Sequence, residues 1–221
     1  MIILKDRSSY LERRTTLNLI GLIASLFLNI PLFFLISLYS LVLTLPLVYK
    51  FYYAYSNYKR GLKGEEAVIE ALSCLSDDYY LINDVKLPNL RGNIDHILLG
   101  PNGIFVIETK NYSGTIECDG DSWKRIVGEK EYEIPSPSKQ VKRNAMALKR
   151  ALEYVLERKI SQVEEVVVFT NPDVIILFSN PTVTVLSVEK LCDYVKSREL
   201  VVFSREELDQ IAQVILKLSE D

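Results

Sequence analysis

The sequence predicts an α/β domain in the order helix, three strands, further β structure, helix, strand, preceded by a hairpin of two apolar helices. Three observations carry that expectation. Val68, Ala71, Leu72 and Leu75 recur at i, i+3, i+4 and i+7, which is one face of an α-helix. Between Asn93 and Asn111 two apolar runs flank Gly100-Pro101-Asn102-Gly103, a composition suited to a short connection between strands. From Thr15 to Tyr49 there is no charged residue.

Composition narrows the possibilities. A chain of 221 residues holds one domain of ordinary size with additions. Apolar residues make up 48% and the mean hydropathy is +0.11, with the excess concentrated in residues 17–49, so one part is membrane-like and the rest globular. The net charge of −3 and the pI of about 5.4 exclude a global positive field, and any polyanion site must be local. Cys74, Cys118 and Cys192 are far apart, odd in number and free of CxxC spacing. That argues against a disulfide framework or a zinc site and predicts three reduced structural thiols.

Residues 1–16 form a basic N-terminal segment, with Lys5, Arg7, Arg13 and Arg14 against Asp6 and Glu12. The apolar run 17–49 is too long for a signal-peptide core and lacks a small-residue cleavage site, so it is expected to remain in the mature protein. As one helix it would extend about 50 Å, against a hydrocarbon core of about 30 Å. A turn at Asn29-Ile30-Pro31 resolves the mismatch, giving legs of about 15 and 18 residues that cross a bilayer with local thinning or snorkelling flanks. Lys50, Lys59, Arg60 and Lys63 follow the run, and a transmembrane hairpin leaves both basic clusters in the cytoplasm. Tyr49, Tyr52, Tyr53, Tyr55 and Tyr58 form an interfacial belt around the juxtamembrane linker 50–60. The expected protein is thus a multi-pass protein of the cell membrane with two short spans. Its soluble part, residues 61–178 with a C-terminal strand and helices at 179–221, lies in the cytoplasm.

In the soluble part, the helical stripe through Val68 extends backward to Glu65, which should face the sheet. Tyr79 to Val85 reads as a strand, and the hairpin follows. Thr115 to Cys118, Ser122 to Val127 and Lys130 to Ile134 suggest a β-meander. Asp119 and Asp121 fall in its turn, because a calcium loop would need further oxygen ligands at fixed offsets. Lys139 to Arg158 carries Val141, Ala145, Leu148, Leu152 and Val155 on one helical face. Val166 to Phe169, Asp173 to Phe178 and Thr182 to Leu186 read as strands and Val188 to Lys196 as a helix. Ser204 and Glu207 form the capping box of a last helix ending near Leu218.

The chemistry concentrates on the hairpin. Strand alternation sends Glu108 and Lys110 to one face and Thr109 to the other, at the end of an apolar run where an ordinary buried strand would continue with Val or Ile. His96 alternates away from Asp95 and reads as structural. By these residues alone, a buried Glu-Lys pair at a sheet edge explains the arrangement as well as a catalytic group does. Glu65 reads equally as a site residue and as a first-turn glutamate complementing the helix dipole.

Gly64-Glu65, Ile94-Asp95-His96, the run Gly103 to Asn111 with Gly114, and Trp123 resemble the NERD (nuclease-related) domain over roughly residues 61–178. That family is similar to the PD-(D/E)xK nucleases, in which an Asp and a Glu-x-Lys on adjacent strands hold catalytic Mg²⁺. The resemblance implies a restriction-endonuclease-like α-β-β-β-α-β core with a mixed sheet, and hydrolysis of nucleic acid with Mg²⁺ or Mn²⁺; DNA is the partner expected, while the sequence leaves DNA and RNA both open as substrate. It implies Asp95 and Glu108 as metal ligands, with the carbonyl of Thr109 and with Glu65 in support, and Lys110 orienting water or stabilising developing charge. Gln140 falls close to where related domains keep a polar residue facing the site. Lys139, Lys142 and Arg143 belong to a basic half-helix that is usually a solvated face and that becomes a nucleic-acid contact in this setting. The rival from another class is a membrane-tethered, non-catalytic module that binds nucleic acid or protein.

Overall fold

The strand Gly103–Lys110 is apolar on both faces from Ile104 to Ile107, so it requires cover on both sides, and that requirement organises the domain. The structure, a computed structural model, describes residues 1–5, 9–36, 39–88, 90–160 and 163–220, with side chains described except at 9, 29–36, 39–43 and 220. In chain order the elements are β1 (Ile2–Lys5), α1 (Ser9–Ile36), α2 (Tyr39–Leu72), β2 (Tyr80–Val85), β3 (Ile94–Gly100), β4 (Gly103–Lys110), β5 (Gly114–Asp119), β6 (Ser122–Val127) and β7 (Lys130–Glu133). Then follow α3 (Pro137–Leu156), β8 (Val163–Phe169), β9 (Val174–Ser179), β10 (Thr184–Ser187), a 3₁₀ turn (Val188–Lys190), α4 (Leu191–Lys196) and α5 (Arg205–Glu220). They form two compact units, Ser8–Lys63 and Met1–Arg7 with Gly64–Asp221.

The first unit is a pair of helices. Gly21 permits their close approach, since a Cβ there would come within 2.5 Å of the Phe51 ring. The turn expected at residues 29–31 is not there: α1 continues to Ile36 and α2 begins at Tyr39, with 37–38 outside the described residues. A proline removes one helical hydrogen bond and leaves the other turns their own, so Pro31 does not oblige the chain to reverse. Leu17, Ile20, Ile23, Leu26, Phe27, Leu45 and Leu47 are exposed. Among the described residues no helix is long and apolar enough to cross a membrane. The middle of the expected hairpin, side chains 29–43, lies outside what is described.

The second unit is α/β with mixed sheets. Its main sheet has the order β1-β2-β3-β4-β8-β10, with β2, β3 and β4 antiparallel and the pairs β1·β2, β4·β8 and β8·β10 parallel. On one face Ile104 and Val106 join Val141, Ala145, Leu148 and Leu152 of α3 and Leu208, Ile211 and Ile215 of α5. On the other, Phe105 and Ile107 join Val68 and Leu72 of α2 and Leu191 and Val195 of α4. The meander is a separate sheet, β7-β6-β5-β9. Gly114 starts it at φ +88, and a Cβ there would meet Ile126 O at 2.6 Å.

Helix α3 starts at Pro137 because Ser136 caps it, its Oγ accepting from Lys139 N–H at 3.2 Å. It ends at Leu156 with Glu157 left-handed, and Val155, expected on the core face, is exposed, because the stripe closes at Leu152. The capping box of α5 is formed: Ser204 Oγ accepts from Glu207 N–H at 3.3 Å and the Glu207 carboxylate from Ser204 N–H at 2.9 Å.

Two further expectations change. Ile2–Lys5, read as part of a basic segment, is a strand that runs parallel to β2. Cys74 and Cys192 form a disulfide instead of standing as free thiols; one follows α2 and the other lies in α4, and both helices cover the same face, bringing the Cα atoms to 6.6 Å. Cys118 is free and buried.

Candidate active site

The β3–β4 hairpin sets the geometry. Its two-residue turn pairs Gly100 with Gly103, and the register runs through Leu99↔Ile104 and Ile97↔Val106 to His96↔Ile107, so the next step brings Asp95 opposite Glu108. Glu108 and Lys110 share the face of Ile104 and Val106, under α3. Asp95 Oδ2 accepts from Thr109 N–H at 2.8 Å. Lys110 Nζ lies 2.5 Å from Glu108 Oε1 and donates to Gln140 Oε1 at 3.3 Å. The pair is enclosed, with Glu108 2% and Lys110 15% exposed at the side chain.

Enclosure controls the charges. Burial, then the charge of Asp95, pushes Glu108 up to about 8, and Lys110 only partly offsets this. Burial also raises Asp95, whose carboxylate is packed among protein atoms although the residue keeps some exposed surface. Burial pulls Lys110 down, but Glu108 and Asp95 outweigh it and the net displacement is upward. One lysine therefore faces two carboxylates that resist ionising together. Glu108 Oε2 is buried with no hydrogen-bond partner. An oxygen of this kind, beside a second carboxylate, is a donor set suited to a hard divalent cation.

The model of the nuclease-related domain matches residues 60–170. The chain belongs to the nuclease-related domain (NERD) family. Over 107 residues it is 30% identical to an uncharacterized protein of Bacillus anthracis, covering 46% of this chain and 49% of that one, so the chain spans about half the length of this relative. No solved structure matches it.

Within this NERD domain the structure brings together Asp95, Glu108, Lys110 and Gln140. Thr109 adjoins them through its backbone N–H, while its side chain points to the other face. Glu65 is 7% exposed on α2 and approaches the end of β4 from the face opposite α3. Gly64 makes that approach possible: a Cβ there would lie 3.0 Å from Thr170 Oγ1 and 3.2 Å from Thr109 Cγ2. Among the described residues no three His, Cys, Asp or Glu side chains form a group that could hold a metal ion, so Glu65 does not join the two acids in one cluster. Lys139 and Arg143 are exposed on the first turns of α3. Lys142 is engaged elsewhere, 2.9 Å from Asp121 Oδ1 and donating to Thr182 Oγ1 at 2.7 Å. Thr182 and Lys142 together hold Asp121 down at about 2. His96 is fully buried on the other face, 2.7 Å from Asn83 Oδ1 through Nδ1, and burial lowers it to about 3.

Sequence reasoning missed Asp84. Flanked by Asn83↔His96 and Val85↔Ile94, it lies opposite Asp95, with φ +51 and its Oδ1 accepting from Asn93 Nδ2 at 2.5 Å. Its charge adds to the upward pressure on Asp95. The signal was available as Asn83-Asp84 inside an apolar strand, since these residue types tolerate the left-handed region.

Proposed function

We propose that this protein is a membrane-anchored nuclease that hydrolyses phosphodiester bonds of nucleic acid, DNA before RNA, on the cytoplasmic side with Mg²⁺ or Mn²⁺. Family membership supports a nuclease-related role. The observation that carries the finer reading is the buried group Asp95, Glu108 and Lys110, in which Glu108 Oε2 is unpartnered. Asp95 and Glu108 would hold the ion, with the carbonyl of Thr109 beside them, and Glu65, outside that cluster, would act from the other face of β4 as a supporting group. When bound, such an ion supplies neutralisation of phosphate charge and lowers the pKa of water.

The chain's own groups do the rest. Lys110 remains a cation, because Glu108 and Asp95 raise it, so it is suited to orient a water or donate to a phosphate oxygen. Gln140 accepts from Lys110 and fixes that ammonium above β4. Lys139 and Arg143, exposed at the start of α3, are placed to meet a phosphate backbone; Lys142 serves the same contact only by leaving Asp121. A restriction-endonuclease-like core agrees with the order α2, β2, β3, β4, α3, β8. Anchoring is supported by the charge-free run and by the exposed apolar side chains of the helical unit.

The test is incubation of the full chain with single- and double-stranded DNA and RNA in Mg²⁺, Mn²⁺ or EDTA. Cleavage that needs the metal is expected. Binding without cleavage in every metal would favour the tethered, non-catalytic module instead.

A further inference from the structure

Asn144 lies in α3 one turn after Gln140 and is 1% exposed, yet neither its Oδ1 nor its Nδ2 has a hydrogen-bond partner. A buried carboxamide with both ends unsatisfied is unfavourable unless a bound group satisfies it.

Its position follows from how α3 runs along β4. Near the start of α3, Gln140 accepts from Lys110 at the end of β4. Beyond the end of α3 the chain enters β8, where Val163 pairs with Ile104 at the beginning of β4, so helix and strand are antiparallel. Four residues along a helix advance about 6 Å, and two residues back along a strand retreat by about 6.6 Å. The turn carrying Asn144 therefore lies along Glu108, as Gln140 lies along Lys110. The charge of neighbouring Arg143 acts on Glu108, which agrees with that placement. Glu108 Oε2 is itself buried without a partner. Two unsatisfied polar groups, a carboxylate oxygen and a carboxamide, thus occupy the same level of the site.

We propose that Asn144 belongs to the cation site, its carboxamide oxygen being a third side-chain oxygen donor beside Glu108 and Asp95. The inference rests on the reading of that acid pair as a cation site. It answers a shortage in the donor set: among the described residues no third acidic, His or Cys side chain joins the pair, and amide oxygens are ordinary ligands for hard cations.

The experiment is calorimetric titration of Mn²⁺ into the full-length chain, with metal-free thermal melts of the same samples. Wild type should bind Mn²⁺, and Asp95→Asn should abolish that binding. Asn144→Leu, which keeps the branching at Cγ and removes both polar ends, should bind Mn²⁺ about 10- to 100-fold more weakly than wild type. Asn144→Asp should bind more tightly than wild type, and it decides the matter if the leucine variant does not fold. Unchanged Mn²⁺ affinity in Asn144→Leu or no tightening in Asn144→Asp, while Asp95→Asn still abolishes binding, overturns this inference and leaves the cation site standing. Absence of Mn²⁺ binding by wild type overturns both. Mn²⁺ binding that needs Asn144, in a protein that cleaves no nucleic acid, supports this inference and removes only the nuclease.

Discussion

Glu108 makes the stability of the metal-free protein fall with pH, and the size of the fall can be worked out. Its carboxyl is raised from 4.5 to about 8, so in the fold it holds a proton that the unfolded chain has already lost. A group raised in this way contributes stability below its unfolded value and loses it as pH climbs through its folded one, at about 1.4 kcal/mol per pH unit. Buried His96 acts in the opposite sense: neutral in the fold and lowered from 6.5 to about 3, it takes stability away as pH falls below its unfolded value. The clean window therefore runs from 6.5 to about 8, and the expected loss across it is about 2 kcal/mol. Glu108→Gln keeps the volume and cannot titrate. Equilibrium unfolding of both proteins in EDTA at the two ends of the window should show wild type losing about 2 kcal/mol more than the variant, and Mg²⁺ restoring it at the upper end. Equal pH dependence in the two proteins, or a wild type that gains stability relative to Glu108→Gln as pH rises, would refute the reasoning.

Further outcomes follow from the same geometry. Lys110→Ala should spare metal binding, because an ammonium is not a ligand for a hard cation, yet remove most cleavage; parallel titration and turnover measurements check this. Lys139→Ala with Arg143→Ala should flatten the dependence of log K on log salt by about one unit per lost phosphate contact. Lys142→Ala should instead cost up to about 1 kcal/mol of stability, since its partners are Asp121 and Thr182. For the helical unit, reporter fusions at residues 10 and 60 should both report the cytoplasm, and opposite locations would mean a single crossing.

What was legible in the sequence was local. The hairpin carried its own turn chemistry, the α5 cap its Ser204 and Glu207, and the faces of β4 followed from alternation, which is why Glu108 and Lys110 were placed together without a structure. Long-range pairing was not legible. Ile2–Lys5 is short and adjoins charged residues, and only β2, more than seventy residues on, makes it a strand. Cys74 and Cys192 are separated by 118 residues, and nothing local shows that α2 and α4 cover one face. Lys142 read as one cation among several because its partners Asp121 and Thr182 come from other parts of the fold. Asp84 was hidden because alternation assumes an unbroken strand, and its positive φ breaks it. The stripe of α3 was extended one turn too far because periodicity does not say where a neighbour stops.

The most direct test of the central claim compares cleavage by wild type and by Asp95→Asn and Glu108→Gln, each folded as judged by its melt, on one nucleic acid in Mg²⁺. The account predicts metal-dependent cleavage by wild type and none above the EDTA background by either variant. Cleavage that survives in both variants, or a wild type that neither cleaves nor is stabilised by Mg²⁺, would contradict it.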